Sequence, residues 1–159
     1  MKKLLIVFAL IMSLNLSCET RMCGCGPEPA LTSLSLIIKN PVGNDLLKAS
    51  TADSYSKDEI QLYKVEHNGI NTPLKFEIKG PVLTGKNKID YYQLFSYELM
   101  SDVKQKKGLL YYLKFRDQQP VELGVEITYS NMTMNIYLDH DKLIEDSKTN
   151  TLFYFTKYK

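Results

Sequence analysis

Val121-Glu122-Leu123-Gly124-Val125-Glu126-Ile127-Thr128-Tyr129 is the stretch that decides the fold. Val121, Leu123, Val125, Ile127 and Tyr129 are apolar or aromatic, and Glu122, Gly124, Glu126 and Thr128 stand between them. Side chains of a strand point alternately to its two faces, so this run at period two predicts a half-buried β-strand; a helix would space its apolar residues three and four apart. The preceding stretch keeps the same period, with Leu109, Tyr111, Leu113 and Phe115 against Leu110, Tyr112, Lys114 and Arg116, and a turn at Asp117 to Pro120 joins the two. Ser130-Asn131 predicts a further tight turn into Met132 to Leu138, where Met132, Met134, Ile136 and Leu138 form the apolar face.

Outward from this core the pattern repeats. Leu34, Leu36 and Ile38 alternate with Ser33, Ser35 and Ile37 until Asn40, Pro41, Gly43 and Asn44 break the run. Leu46 to Lys57 has no clear period and allows a short helical turn. Ile60 to Glu66 reads as a strand, and Asn68-Gly69 predicts a two-residue type I′ hairpin, a turn that needs positive φ at both positions. Thr72 to Lys79 then returns with Leu74, Phe76 and Ile78 on one side. After Gly80-Pro81 and a lysine-rich loop over 85–88, Tyr91 to Met100 reads as a long aromatic strand. Asp139 to Asn150 is polar, with a helical turn expected around Lys142 to Asp146, and Thr151 to Tyr158 closes the chain as a strand. These eight strands at short spacing predict an all-β domain over 31–159: one antiparallel β-sandwich, immunoglobulin-like or related.

The N-terminus carries an address. Lys2 and Lys3 precede the apolar run Leu4 to Met12, which Leu14 and Leu16 extend, and Ser17 stands before Cys18. A positive n-region, an apolar h-region and a small residue before a cleavage point make an export signal, and the run is shorter than the roughly 20 apolar residues of a spanning helix. Leu14-Asn15-Leu16-Ser17-Cys18 resembles the lipobox of proteins processed by the lipoprotein signal peptidase. This resemblance covers the export segment alone, and it implies that 1–17 are removed and that Cys18 carries diacylglycerol, often with a further acyl chain on its amine. Each buried methylene contributes about 0.8 kcal/mol, so more than one chain gives stable attachment. Residues 18–30 then read as a flexible spacer containing Cys23-Gly24-Cys25-Gly26-Pro27. With Leu34, Leu36, Ile38, Lys39, Asn40, Gly43, Asp45, Leu46 and Leu47, that spacer is also similar to small lipoproteins of the Bacteroidota, which implies an outer-membrane or surface-facing position and no particular activity.

Charge narrows the partners. Without Lys2 and Lys3 the 20 basic side chains become 18, equal to the 18 acidic ones, so the mature chain is near neutral and offers a nucleic acid no bulk basic surface. Cys23 and Cys25 stand two apart, where a disulfide is usually strained, and a metal there would need ligands from elsewhere.

Chemistry-bearing residues are few. His67 directly precedes the Asn68-Gly69 turn and reads as a solvated hairpin residue. Asp139-His140-Asp141 with Glu145 and Asp146 is the densest polar constellation; it could offer oxygens to Ca²⁺ or an imidazole to a transition metal, but lacks the ligand count and glycine turn of an EF-hand. Tyr92, Tyr112 and Tyr137 lie opposite the main apolar faces of their strands and form a candidate binding face for an envelope protein or a glycan. No Gly-x-Ser-x-Gly elbow or glycine-rich phosphate loop is present, and no cofactor is indicated. The reading is a membrane-tethered binding module, with a structural role in an envelope complex, or hydrolysis around His140, as the alternatives.

Overall fold

The structure, a computed structural model, describes residues 33–83, 88–105, 109–128, 130, 133–147 and 149–157. The export segment, Cys18, the spacer with Cys23 and Cys25, and the Asn131-Met132 part of the predicted turn lie outside them. In chain order the elements are β1 (Leu34–Lys39), a 3₁₀ turn η1 (Lys57–Glu59), β2 (Ile60–Val65), β3 (Asn71–Pro73), β4 (Glu77–Lys79), β5 (Gln93–Ser96), α1 (Tyr97–Gln105), β6 (Leu110–Phe115), β7 (Val121–Thr128), β8 (Thr133–Leu138), β9 (Asp141–Lys142), β10 (Ile144–Asp146) and β11 (Thr149–Thr156). Among the described residues, no helix is long and apolar enough to cross a membrane.

Two sheets pack together, one in the order β10-β11-β1-β5-β4 and the other β3-β2-β6-β7-β8-β9. The alternation in the sequence selects their facing surfaces. Tyr111, Leu113, Phe115, Leu123, Met134, Ile136 and Leu138 line the inner face of the six-stranded sheet and pack with Leu34, Leu36, Ile38, Leu94 and Phe153 of the other. Val125 and Ile127 keep the expected phase but are only partly buried. The fold is therefore mostly β with one shared apolar interior.

Pairing within the sheets departs from the sequence reading in several places. The strands number eleven among the described residues, and one pair is parallel: β1 lies beside β11 with Leu36 opposite Phe153. Ile37 is fully buried although it belongs to the phase opposite Leu36, so this inner strand buries side chains on both of its faces. Thr72 to Lys79 is two short strands: β3 pairs with β2, and β4 pairs with β5 in the other sheet. Pro73, which has no N–H to give, ends the first ladder, and Leu74 drops into the core where its N–H donates to the Leu62 carbonyl at 2.8 Å.

Tyr91 to Met100 turns from strand to helix at Ser96. The Ser96 hydroxyl accepts the Leu99 N–H at 3.1 Å, an N-cap bond, and Leu99, Met100 and Val103 place one face of α1 on the core. Lys142 to Asp146, expected as a helical turn, is divided between β9 and β10. At Asn68-Gly69 only Gly69 has positive φ (78°), and its N–H donates to the Glu66 carbonyl while Glu66 N–H donates to the Ile70 carbonyl. That is the longer hairpin connection with a glycine bulge rather than type I′.

Candidate functional site

The solvent side of the six-stranded sheet gathers tyrosines. Strand register aligns Pro73, Tyr63, Tyr112 and Glu122 in one rank across β3, β2, β6 and β7, and Gly124, Tyr137 and Lys142 in another across β7, β8 and β9. Tyr63 and Tyr112 stack, with ring centroids 5.6 Å apart and planes 21° from parallel. Tyr137 leans over Gly124, where an added Cβ would meet the Tyr137 Cβ at 3.3 Å and its Cδ2 at 3.6 Å; the glycine leaves the space that the ring covers. The Tyr137 hydroxyl donates to Glu126 at 2.8 Å, and this bond, ahead of desolvation, raises its pKa. Burial, then the neighbouring Tyr112, raises that of Tyr63. Leu110 adds an exposed apolar side chain on the same strand phase as Tyr112.

Of the three tyrosines singled out from sequence, Tyr112 and Tyr137 share this face and Tyr92 does not. Tyr92 precedes β5 of the other sheet and packs partly buried against the core, its N–H donating to Asp45 Oδ2 at 2.7 Å. Tyr63 takes its place, and the sequence held a signal for it: Ile60 and Leu62 set the inward phase of β2, which sends Tyr63 outward.

The polar constellation around His140 disperses. Asp139 and His140 form a turn with φ of 47° and 71°, and Asp139 Oδ1 accepts the Glu122 N–H at 3.0 Å. Glu145 and Asp146 belong to β10 in the other sheet, and Asp146 accepts the Tyr154 hydroxyl at 2.7 Å. Among the described residues no three His, Cys, Asp or Glu side chains gather as a metal site. His67 is exposed in its hairpin turn.

A second feature, silent in the sequence, lies where β1 ends. The chain enters β1 at Leu34 and leaves at Lys39; beyond that end, Asn40 to Tyr55, the Arg116–Gln118 turn and Lys157 surround a cleft of about 660 Å³. Asp45 ties the first segment down, its Oδ1 taking the Leu47 N–H at 2.9 Å and its Oδ2 the Tyr92 N–H. Arg116 holds φ 47° and Asp53 φ 61°, a left-handed backbone that few residues other than glycine adopt. Arg116 Nε donates to Glu59 Oε1 at 2.7 Å and Nη2 to the Ser54 carbonyl at 2.7 Å. The hydrogen bond from Arg116, then that from the Ser56 backbone, holds the Glu59 carboxyl down at about 2.

A buried ionic group completes the polar inventory. Lys64 points inward from β2; its ammonium meets Asp102 of α1 at 2.6 Å and Glu66 at 3.4 Å. The Tyr111 hydroxyl donates to the other Asp102 oxygen at 3.0 Å, and burial, reinforced by that acceptor, raises the phenol's pKa far above its ordinary value. Its geometry is that of a fastener between helix and sheet. Compared with protein-family models, curated proteins and solved structures, the chain matches none.

Proposed function

We propose that this chain is an envelope lipoprotein anchored through Cys18, whose folded part is an immunoglobulin-like or related β-sandwich acting as a binding module. The observation that carries the binding role is the outward face of Tyr63, Tyr112 and Tyr137, since tyrosine joins apolar area to a hydroxyl and is favoured in recognition surfaces. An envelope protein or a glycan fits such a face. The export-type N-terminus supports the membrane location, probed through the lipid on Cys18.

Assembly by edge-to-edge strand pairing has less support. The outermost strands β3, β4, β9 and β10 are each two or three residues long and carry Pro73, Glu77, Lys79, Asp141, Lys142, Glu145 or Asp146, devices that blunt an edge. Hydrolysis around His140 lacks the convergence of groups that catalysis needs.

The test is capture of partners from the native envelope, with the tethered protein as bait. Tyr112→Ser with Tyr137→Ser should weaken capture about tenfold or more while the thermal midpoint moves little, as for a hot spot lost without opening the core. Unchanged capture would remove the face from the reading. In the same strain Cys18→Ala should abolish labelling by a fatty-acid analogue, and equal labelling of parent and variant would refute the anchor.

A further inference from the structure

The cleft beyond β1 brings together two cations that the chain satisfies only in part. The Arg116 guanidinium is held rigidly: Nε and Nη2 bond Glu59 and the Ser54 carbonyl, and its carbon sits 4.8 Å from the Tyr55 ring centroid. Those bonds leave the two N–H groups of Nη1 without a hydrogen-bond partner among the described residues. The Lys157 ammonium lies 4.7 Å from the Phe115 ring centroid, and among the described residues no carboxylate comes within ion-pair distance of it. Burial pushes its pKa below the ordinary lysine value, and Asp139 offsets that only partly. A desolvated cation with no carboxylate in contact gains from an incoming anion.

The rest of the wall favours a small organic anion. Asn40 Oδ1 accepts the N–H groups of Val42 and Asn44, which leaves its amide N–H₂ as a donor on a wall that Gln118 also lines. The exposed Val42 and the edge of the largely buried Tyr55 supply apolar surface. Asp53 on the wall is engaged within the chain, and its negative charge limits how much anionic charge the cleft accepts, favouring one carboxylate over a phosphate. Left-handed backbone at Asp53 and Arg116 is the kind of local strain that ligand clamps retain. A cleft of about 660 Å³ is the size of small-molecule sites.

We propose that this cleft binds a small carboxylate ligand, its carboxylate held by Nη1 of Arg116 and Nζ of Lys157 and its body resting on Tyr55 and Val42. The site goes beyond the tyrosine face and rests on neither that face nor the anchor. Isothermal titration of the full chain with D-glucuronate, D-glucose and inorganic phosphate tests it. Glucuronate should bind, with glucose and phosphate weaker by about tenfold or more. Lys157→Gln should weaken glucuronate by about tenfold or more with the thermal midpoint unchanged, and Lys104→Gln, an exposed cation outside the cleft, should leave it unaffected. In the parent chain, NMR titration of the Lys157 ammonium should show its pKa rising on saturation, a measurement that needs no variant to fold. Absence of glucuronate binding, equal affinity for glucose, tighter binding of phosphate, or an unmoved Lys157 pKa on saturation would each overturn the proposal.

Discussion

Single residues in this protein act through the positions that the backbone forces on them. Arg116 leaves β6 with φ 47°, and that left-handed step turns its side chain to Glu59 while its N–H reaches the Glu59 carbonyl at 2.7 Å. The acidic partner responds: its carboxyl falls from the ordinary 4.5 to about 2. A carboxyl with a folded pKa below its unfolded one adds stability that is present above about 4.5 and lost as pH falls toward about 2. Thermal midpoints of the parent and Glu59→Gln should therefore differ at neutral pH and converge across that acid window. Curves that stay parallel throughout would mean the clamp orders the turn without stabilising the fold. Nothing in the spacing of Glu59 and Arg116 announces the pair, because 57 residues separate them and the contact exists only once β2 and β6 align.

Elements are fastened to each other by both oil and charge. On β7, Leu123 is buried and Glu126 exposed, so Leu123→Ala should cost roughly 2–5 kcal/mol in chemical denaturation and Glu126→Ala less than about 0.5. Equal small losses would contradict the strand phase. Between β2 and α1 the fastener is ionic: Asp102→Ala removes the nearer carboxylate from the buried Lys64 ammonium and should cost roughly 3–5 kcal/mol. Lys64→Met with Asp102→Leu should regain most of that, because an apolar pair avoids desolvating two charges. A double variant as weak as the single one would show that the pair sets the docking of α1. Alternation located Leu123 but hid Lys64, since a lysine at an inward position breaks the apolar pattern and needs an acid from a distant element to be tolerated.

Across the whole molecule, the first and last strands of the described chain are neighbours. β1 and β11 lie parallel in the interior of the five-stranded sheet, with β5 and β10 on their other sides. Contacts so far apart in sequence require most of the chain to be ordered before they form, which slows folding. A chain ending at Asp146 should lose cooperative unfolding, because β11 carries Phe153 into the core and its loss uncovers β1. A sharp thermal transition in that truncation would show that β11 is an accessory. The same topology sends the cleft to the end of β1 opposite Leu34, where the described chain enters that strand.

The sequence by itself determined which apolar residues of β6, β7 and β8 turn inward and where the chain breaks between β6 and β7, because period two and turn chemistry act within a few residues. It also set the apolar run Leu4 to Met12 apart from the alternating remainder by composition. Tertiary structure decided the rest: the parallel pairing of β1 with β11, the crossing of Thr72 to Lys79 from one sheet to the other, the helix after Ser96, and the meeting of Tyr63 with Tyr112 and of Arg116 with Lys157 around one cleft. These depend on which strands become neighbours, and strand order is set by the burial of the whole interior, a quantity that no local stretch of sequence contains.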